Sequence, residues 1–194
     1  AGHLRNKGGH DVTVYNRTTA KAEQWVAQHG GRLALTPAEA ADGKDFVFSC
    51  VGNDDDLRSV TTGANGAFAS MKKGSVFIDN PTAAAEVARE LDEAARKAGF
   101  SFLDAPVSGG QAGAENGVLT VMVGGEQAAF DKAKPVIEAF ARMVGLMGPA
   151  GAGPSHKMVN KMTHPGLFPG TGRGSHCGEK GWVGQRGGAR GGRQ

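Results

Sequence analysis

Short runs of β-branched and aromatic residues alternate along this chain with amphipathic helical stretches, and this alternation limits the possible folds more than any other feature. The runs predict strands at residues 11–16, 46–51, 75–80, 101–107 and 119–125. Three of them are almost wholly apolar, as strands covered by helices on both faces are. The stretches between them predict helices at residues 18–29, 36–41, 82–98 and 126–141. The βαβα order predicts an α/β fold built on a doubly wound parallel sheet.

The apolar periodicity and the charge balance both change abruptly near Met162. The chain has 194 residues and a formal net charge of +3, but the excess lies in residues 163–194. Charged residues in that segment are Arg173, Lys180, Arg186, Arg190, Arg193 and Glu179. Because the segment is rich in glycine and has too little apolar surface to bury, we expect a disordered Gly/Arg-rich tail. We therefore divide the chain into a folded domain at residues 1–150, a helical segment at 151–162 and the tail.

Composition and cysteine usage exclude several classes of protein. The two cysteines, Cys50 and Cys177, cannot form a disulfide framework or a cysteine-based zinc site. The spacing of His164, His176 and Cys177 matches no zinc pattern, so we predict no metal. No apolar run approaches the roughly 18 residues of a membrane span, and we recognise no signal peptide. We expect a cytoplasmic protein with no membrane partner.

Asn16, Arg17 and Thr18 follow the strand predicted at residues 11–16. At the tip of the second strand of a dinucleotide-binding fold, an acidic residue holds the 2′-hydroxyl of NAD, whereas an arginine or a small polar group accommodates the 2′-phosphate of NADP. The lack of an acid among these three residues favours NADP, with NAD as the alternative. The same residues also fit a helix cap followed by a solvated arginine.

Two glycine-rich segments later in the chain fit a substrate site. In the string DAPVSGG at residues 104–110, backbone N–H groups and the Ser108 hydroxyl can converge on an anion such as a carboxylate. The string also fits a glycine turn between two strands. The second segment, GAGPSHK at residues 151–157, opens a helix with glycines and places Lys157 one turn inside it. A lysine in a desolvated cleft can donate or accept a proton, although most isolated lysines are solvated surface groups.

In this order and spacing, the segments YNRT, DAPVSGG and GxGxxxK resemble the β-hydroxyacid dehydrogenases, over about residues 1–162. This family includes 3-hydroxyisobutyrate dehydrogenase, tartronate semialdehyde (2-hydroxy-3-oxopropionate) reductase and, more distantly, 6-phosphogluconate dehydrogenase. The resemblance implies an N-terminal NAD(P)-binding Rossmann domain joined by a long helix to a helical domain. It also implies reversible hydride transfer between a 3-hydroxy acid and its semialdehyde, so the expected substrate is a small hydroxy acid or semialdehyde.

The resemblance also implies roles for individual residues. Lys157 is implied to be the catalytic acid/base on the hydroxyl or carbonyl oxygen of the substrate. The residues implied to bind the substrate are Ser108, Gly109, Gly110 and, as a partial substitute for an amide side chain found one residue later in the family, Asn160. The residues implied to bind the cofactor are Asn16, Arg17, Thr18, Val51, Gly52, Asn53 and Thr82.

The sequence departs from the family pattern at several places. The strand predicted at residues 11–16 corresponds to the family's second strand, so we expect a sheet that lacks its first strand and its Gly-rich phosphate loop. Pro81 replaces a serine or threonine, Pro154 offers no N–H to a ligand, and Lys161 replaces the amide side chain. The Gly/Arg-rich tail stands in place of the helical domain. We therefore expect the chain to represent a fragment of the family pattern, with impaired activity. Without the helical domain, the homo-oligomer typical of the family is doubtful. The abrupt change at Met162 also fits out-of-frame translation of the segment that follows.

Two other functions remain open from the sequence. Arg186 and Arg190 lie in a short RGG-like segment of the type that contacts single-stranded nucleic acid through charge. Because only one or two such units occur, without aromatic repeats, we predict no nucleic-acid partner and keep nucleic-acid binding as an alternative. The other alternative is a non-catalytic Rossmann remnant that acts as an interaction module.

Overall fold

The computed structural model describes the backbone of residues 1–81 and 83–163, and the side chains of the same residues through Met158. The predictions made for Thr82, for the side chain of Asn160 and for the tail beyond Thr163 lie outside the described residues.

Helices and strands alternate along most of the described chain, except that the strand predicted at residues 101–107 is divided into two strands with no helix between them. The helices are α1 (Gly2–Asn6), α2 (Thr19–His29), α3 (Pro37–Ala41), α4 (Asp54–Thr61), α5 (Ala85–Ala98), α6 (Gly110–Asn116), α7 (Gln127–Ile137) and α8 (Ala152–Thr163), with a 3₁₀ turn at Ala67–Ala69. The strands are β1 (Thr13–Val14), β2 (Arg32–Leu33), β3 (Phe46–Ser49), β4 (Val76–Asp79), β5 (Ser101–Asp104), β6 (Val107–Ser108), β7 (Leu119–Gly125) and β8 (Ala141–Gly148). None of these helices is long and apolar enough to cross a membrane.

The main sheet has six strands in the order β3-β4-β5-β7-β6, and β8 pairs with the other edge of β7. Strands β3, β4 and β5 are parallel, which confirms the predicted Rossmann-like α/β fold. The sheet is not parallel throughout, however, because β7 runs antiparallel to β5 and β6. The connection from β5 to β7 is taken up by β6 and the short helix α6, which leave no helix long enough for a parallel crossover.

Strands β1 and β2 form a separate parallel two-stranded sheet instead of extending the main one. The small sheet is tied to the start of β3 through Asp11, whose carboxylate accepts a hydrogen bond from Arg32 and lies 3.3 Å from the Lys44 ammonium. Among the described strands, none pairs with the outer edge of β3. This arrangement agrees with the expectation of a sheet without its first strand.

Both faces of the main sheet are covered by apolar packing, as a doubly wound sheet requires. Because side chains alternate along a strand, Val76 and Ile78 point to the face packed by α7, whereas Phe77 points to the face packed by α4 and α5. The ring of Phe77 stacks on Phe102 of the adjacent strand at 5.8 Å between centroids. Every residue of β4 is buried, which explains the apolar character of its sequence.

The predicted helices are present, and their ends follow local chemistry. The Thr36 hydroxyl accepts a hydrogen bond from the Glu39 N–H and so caps α3, in which Pro37 holds the first position. Helix α5 presents an apolar stripe that includes Val87 and Leu91, and Gly99 ends it in the left-handed conformation.

Four elements were not predicted, and one predicted helix is too long. The missed elements are α4, α6, β2 and β8, and the helix predicted at 126–141 ends at Ile137. Strand β8 contains few β-branched residues, but it pairs with β7 over most of its length, so pairing in the folded sheet outweighs weak local preference. Helix α4 has acidic residues in its first turn and an Asn53 cap, which favour a helix there.

Candidate functional site

A row of polar side chains crosses the sheet where three parallel strands end. Ser49, Asp79 and Asp104 are register partners at the last positions of β3, β4 and β5, and all three are buried. We call this the carboxyl edge of the sheet. In open α/β sheets, ligands bind in the crevice outside the carboxyl ends of the strands, so the site is expected at this edge.

Asp79 is completely buried, and neither of its carboxylate oxygens has a hydrogen-bond partner among the described residues. Burial is the main reason why the pKa of Asp79 is raised to about 7, and the charges of Asp104 and Asp54 add to the rise. The Ser49 hydroxyl lies near enough to oppose part of the rise in this pKa, although it does not reach hydrogen-bonding geometry. Asp79 therefore exchanges a proton near neutral pH at the centre of the carboxyl edge.

The Asp104 carboxylate holds the start of the helix that carries Lys157. Its Oδ1 atom accepts a hydrogen bond from the Gly151 N–H at 2.6 Å, and its Oδ2 atom accepts one from the Gly153 N–H at 2.9 Å. Burial raises the pKa of Asp104, while these two hydrogen bonds act in the opposite direction. The strand end and the helix start are thus joined by a buried carboxylate that uses both of its oxygens.

Glycine permits the close approach of α8 to β5 and β7. A Cβ atom on Gly153 would lie 2.5 Å from the Asp104 carboxylate, 2.6 Å from the Met122 carbonyl oxygen and 2.9 Å from the Pro106 ring. A Cβ atom on Gly124 would also collide with the Asp104 carboxylate. The glycines at these positions are required by packing, and they bring the segments DAPVSGG and GAGPSHK into direct contact.

Lys157 lies in the second turn of α8 and is half-buried. The Ser155 hydroxyl donates to the Gly151 carbonyl oxygen at 2.9 Å, and the His156 ring lies 3.0 Å from the Ala152 carbonyl oxygen. These contacts keep the first turn of α8 ordered. The predicted placement of Lys157 one turn inside a glycine-opened helix matches the backbone seen here, and its catalytic role remains a prediction.

Ser108, Gly109 and Gly110 lie where β6 passes into α6. Gly109 is the residue before the helix, with φ of 135°, and Gly110 is its first residue, with φ of 63°. Such positive φ values favour glycine. A Cβ atom on Gly110 would have no atom within 4 Å, so open space lies beside it. The segment is a strand-to-helix junction rather than a turn between two strands, and its half-exposed serine and exposed glycines are accessible to a ligand.

The residues predicted for the adenosine end of a cofactor lie in an exposed turn between β1 and α2. The Asn16 side-chain oxygen accepts a hydrogen bond from the Thr18 N–H at 2.9 Å, while the Thr18 hydroxyl makes no capping bond. Arg17 is 82% exposed, and its guanidinium pairs with Asp56 of α4 at 3.0 Å. The ion pair brings this turn next to the segment that follows β3.

Val51, Gly52 and Asn53 connect β3 to α4 at the same edge. The Asn53 side-chain oxygen accepts a hydrogen bond from the Asp56 N–H at 2.8 Å and caps the helix. Gly52 is exposed with no atom within 4 Å of an added Cβ, whereas Val51 packs against the core. The next residue, Asp54, accepts a hydrogen bond from the Ala84 N–H at 3.1 Å, which joins this segment to the loop after β4 that contains Thr82.

A cleft of about 360 Å³ lies beside the turn at Asn16–Thr18. Its lining residues include Tyr15, Thr36, Pro37 and Val60. The aromatic, proline and valine side chains give the cleft an apolar wall, and the threonine and neighbouring backbone give it polar groups. An aromatic ring with hydrogen-bonding edges is the kind of group that such a cleft can hold.

Several residues of this edge were not assigned a role from the sequence. They are Ser49, Asp54, Asp56, Asp79 and Asp104. Asp79 and Asp104 each end an apolar strand, and a carboxylate in that position on two neighbouring strands was the available signal. The described residues contain no group of three or more histidine, cysteine, aspartate or glutamate side chains arranged to hold a metal ion.

Comparison with known proteins places this arrangement in a family. Residues 1–148 match the model of the NAD binding domain of 6-phosphogluconate dehydrogenase. The chain is 57% identical over 176 residues to an uncharacterized oxidoreductase of Shewanella frigidimarina, an alignment that covers 91% of this chain and 60% of the relative. It is 35% identical over 165 residues to the NAD-dependent L-serine dehydrogenase of Pseudomonas aeruginosa, which covers 85% of this chain and 55% of that protein.

A solved structure agrees with these relatives. The 3-hydroxyisobutyrate dehydrogenase of Mycobacterium tuberculosis, determined with L-serine, superposes with a TM-score of 0.77 at 32% identity. The match covers 83% of this chain and 54% of that structure. The chain thus spans about half the length of the proteins it matches. The resemblance to β-hydroxyacid dehydrogenases is confirmed, and the chain belongs to the family of the NAD-binding domain of 6-phosphogluconate dehydrogenase.

Proposed function

We propose that this chain supplies the cofactor-binding part of an NAD(P)-dependent oxidoreductase that transfers hydride between a 3-hydroxy acid and its semialdehyde. The observation that carries the proposal is the joining of DAPVSGG to GAGPSHK by the Asp104 carboxylate. This contact links the strand that leads to the carboxylate cradle at Ser108–Gly110 with the helix that carries Lys157. The cofactor segments after β1 and β3 lie at the same edge of the fold.

The residues present fit a dinucleotide. Gly52 and Gly110 leave open space where any side chain would stand, so backbone can approach a ligand there. The cleft lined by Tyr15 and Val60 suits the adenine ring, and the exposed Arg17, two residues after Tyr15 in the chain, suits the adenosine ribose. The bound nicotinamide would supply the hydride-carrying carbon.

Arg17 and Asp56 bear on the choice between NADP and NAD. An exposed guanidinium beside the ribose favours a 2′-phosphate, and we propose NADP as the preferred cofactor. The Asp56 carboxylate opposes this preference, because it already pairs with Arg17 and would repel a phosphate. The Pseudomonas aeruginosa relative is named as NAD-dependent, so NAD remains the second candidate.

A β-hydroxy carboxylate is the substrate class that these residues suit. L-serine, which appears with two of the similar proteins, carries its hydroxyl group two carbons from the carboxyl carbon, as 3-hydroxy acids do. The N–H groups at the start of α6 and the Ser108 hydroxyl would hold the carboxylate of such a molecule. Lys157 would take the proton from its hydroxyl group during oxidation and return it to the carbonyl oxygen during reduction.

Nucleotide titration tests the cofactor part of this proposal. NADPH and NADH fluorescence would be titrated with the full chain, with Arg17→Ala and with Asp56→Ala. We expect Arg17→Ala to weaken NADPH binding about tenfold, the loss of one charge-assisted contact, and to change NADH binding little. Asp56→Ala frees the guanidinium and should strengthen NADPH binding. Equal effects of Arg17→Ala on both nucleotides would contradict the assignment of this residue to the 2′-phosphate.

The reaction itself is tested separately. Reduced nicotinamide would be followed by absorbance with 3-hydroxyisobutyrate, L-serine and a hydroxy acid whose hydroxyl is on the 2-position. Turnover of 3-hydroxyisobutyrate and L-serine, but not of the 2-hydroxy acid, supports the proposed substrate class. The Lys157→Met variant should lose this turnover. Nucleotide binding with no turnover of any of the three would leave the chain as a non-catalytic nucleotide-binding module.

A further inference from the structure

We propose that Asp104 is a positioning residue for Lys157: its carboxylate fixes the first turn of α8 and thereby sets where the lysine stands relative to the carboxylate cradle. The inference rests on the proposed function, because it takes the acid/base role of Lys157 from there. It adds a residue to which the family resemblance assigns no role.

The two hydrogen bonds determine both the place and the direction of the helix. Oδ1 and Oδ2 of Asp104 accept from separate N–H groups, those of Gly151 and Gly153, at 2.6 and 2.9 Å. A single hydrogen bond would fix the position of one residue at the start of α8. Two hydrogen bonds, from residues 151 and 153, also restrict the tilt of the helix about that position. Lys157 lies four residues beyond Gly153, about one turn or 6 Å along the axis. A tilt of the first turn therefore moves the base of the lysine side chain directly.

The surroundings of Asp104 leave little freedom for another arrangement. Gly124 and Gly153 both present bare backbone to its carboxylate, and a methyl group at either position would displace it. The carboxylate is almost fully buried, so water does not compete for its oxygens. A carboxylate at an N-terminal helix turn is also stabilised by the helix dipole.

The same carboxylate connects the helix to the substrate cradle. Asp104 ends β5, Pro106 follows two residues later, and Ser108 follows two residues after that. The Pro106 ring is the side chain against which Gly153 packs, and the Pro106 carbonyl oxygen accepts a hydrogen bond from the Met122 N–H at 3.1 Å. The positions of the carboxylate cradle at Ser108–Gly110 and of α8 therefore both depend on the short buried segment at residues 104–106.

The test measures helix order and lysine environment in Asp104→Asn, with Asp92→Asn as the matched control. Asp92 is also a buried aspartate, but it lies on α5 and pairs with Arg96 at 3.0 Å. A carboxamide keeps the shape of the carboxylate and offers one acceptor oxygen instead of two, so one of the two N–H groups loses its partner. In Asp104→Asn, amide hydrogen exchange should become at least about tenfold faster at the glycine that loses its acceptor, and faster by a smaller factor at the other glycine, whose remaining acceptor is no longer charged. Exchange at both glycines should stay unchanged in Asp92→Asn.

Acetylation of individual lysines by isotope-labelled acetic anhydride, followed by mass spectrometry over a range of pH, reports the environment of Lys157. Lys97, whose side chain is 75% exposed, serves as the internal reference. In the unmodified chain, the half-buried Lys157 should react more slowly than Lys97. In Asp104→Asn its rate and pH profile should approach those of Lys97, while the reactivity of Lys97 itself stays unchanged.

The outcomes separate this inference from the proposed function. Faster exchange at Gly151 and Gly153 with an unchanged Lys157 profile would show a purely structural cap and overturn the positioning role. Unchanged exchange would overturn it as well. An ordinary, exposed-lysine profile of Lys157 in the unmodified chain would contradict the acid/base role and with it this inference. Absence of nucleotide binding with a shifted lysine profile would contradict the proposed function alone.

A measurement on the unmodified chain covers the case in which Asp104→Asn does not fold. The amide signals of Gly151 and Gly153 would be followed by NMR as the pH is lowered, together with the ε-methylene signal of Lys157. If the carboxylate positions the helix, all three signals should change with one common midpoint. Asp79 on β4 and Asp92 on α5 are titratable groups close to Asp104. Repeating the titration with each of them replaced by asparagine shows how much of the signal change comes from their own protonation. The inference would be overturned if the ε-methylene signal of Lys157 did not change at the pH midpoint shared by the Gly151 and Gly153 amide signals.

Discussion

The buried carboxyl group of Asp79 makes a strong prediction about stability. Asp79→Asn replaces an ionisable group by a neutral one of nearly the same shape, in a place where neither carboxylate oxygen has a hydrogen-bond partner among the described residues. The pKa of Asp79 is raised from an ordinary value of 3.8 to about 7, mainly by burial. The negative charge is therefore less stable in the folded protein than in the unfolded chain.

The pH range of the effect follows from these two pKa values. Well below pH 3.8 the group is protonated in both states and has no effect on the free energy of unfolding. Between about pH 4 and pH 7 the unfolded chain loses the proton first, so the stability of the folded state decreases as pH rises. Above about pH 7 the loss is complete, and the difference between the two pKa values corresponds to about 4 kcal/mol.

Urea denaturation followed by circular dichroism at pH 5 and pH 8 measures this effect. Asp79→Asn should increase the free energy of unfolding by up to about 4 kcal/mol at pH 8 and by much less at pH 5. Asp92→Asn is the comparison, because burial also raises the pKa of Asp92 but the Arg96 ion pair opposes that rise, so a smaller effect of the same sign is expected. The reasoning is refuted if Asp79→Asn has the same effect at both pH values, or if it destabilises the protein at pH 8.

Other substitutions test the packing that positions the site. Gly124→Ala would place a methyl group against the carboxylate that ends β5 and should lower the free energy of unfolding by about 2–3 kcal/mol, whereas Gly52→Ala, in open space, should change it by less than about 0.5 kcal/mol in the same urea titration. Thr36→Ala removes the cap of α3 and should cost about 1 kcal/mol, while Thr18→Ala, which makes no capping bond, should cost less by the same measurement. Phe77→Ala removes a fully buried, stacked ring and should cost about 3–5 kcal/mol, measured as a shift of the urea midpoint at constant slope.

Local sequence patterns were sufficient to predict the helices and strands in which apolar residues recur at regular spacing. Strand β4 is apolar up to its last residue, Asp79, and α5 carries a regular apolar stripe ended by Gly99, so both were predicted close to their observed bounds. Strand β8 was not predicted, and only its first residue, Ala141, fell within the predicted helix, because its extended structure comes from pairing with β7 rather than from its own residues. The antiparallel direction of β7 arises because β6 and α6 occupy the connection from β5 to β7. No local sequence pattern indicates the direction in which the next strand joins the sheet.

The candidate site was predictable where a string of residues is itself the signal. Ser108–Gly110 and Lys157 were found because glycines and a lysine occur at fixed spacing in the sequence. Asp104 was visible in the same string, yet its role depends on N–H groups 47 and 49 residues further along the chain. Asp56 was missed for the same reason, since its relevance lies in an ion pair with Arg17, which is 39 residues away. Contacts between distant segments require the fold.

The two aspartates of the carboxyl edge have opposite environments, and this difference connects stability with the site. Asp79 and Asp104 are register partners on adjacent strands, and the charge on Asp104 contributes to the raised pKa of the Asp79 carboxyl group. Asp104 has two N–H donors that stabilise its anion, whereas Asp79 has none among the described residues. When the two aspartates together bind a single proton, that proton resides mainly on Asp79, and Asp104 keeps the charge that holds α8 in place. Neutralising Asp79 should then strengthen the hold on Gly151 and Gly153 rather than weaken it, which is the opposite of the effect expected for Asp104→Asn.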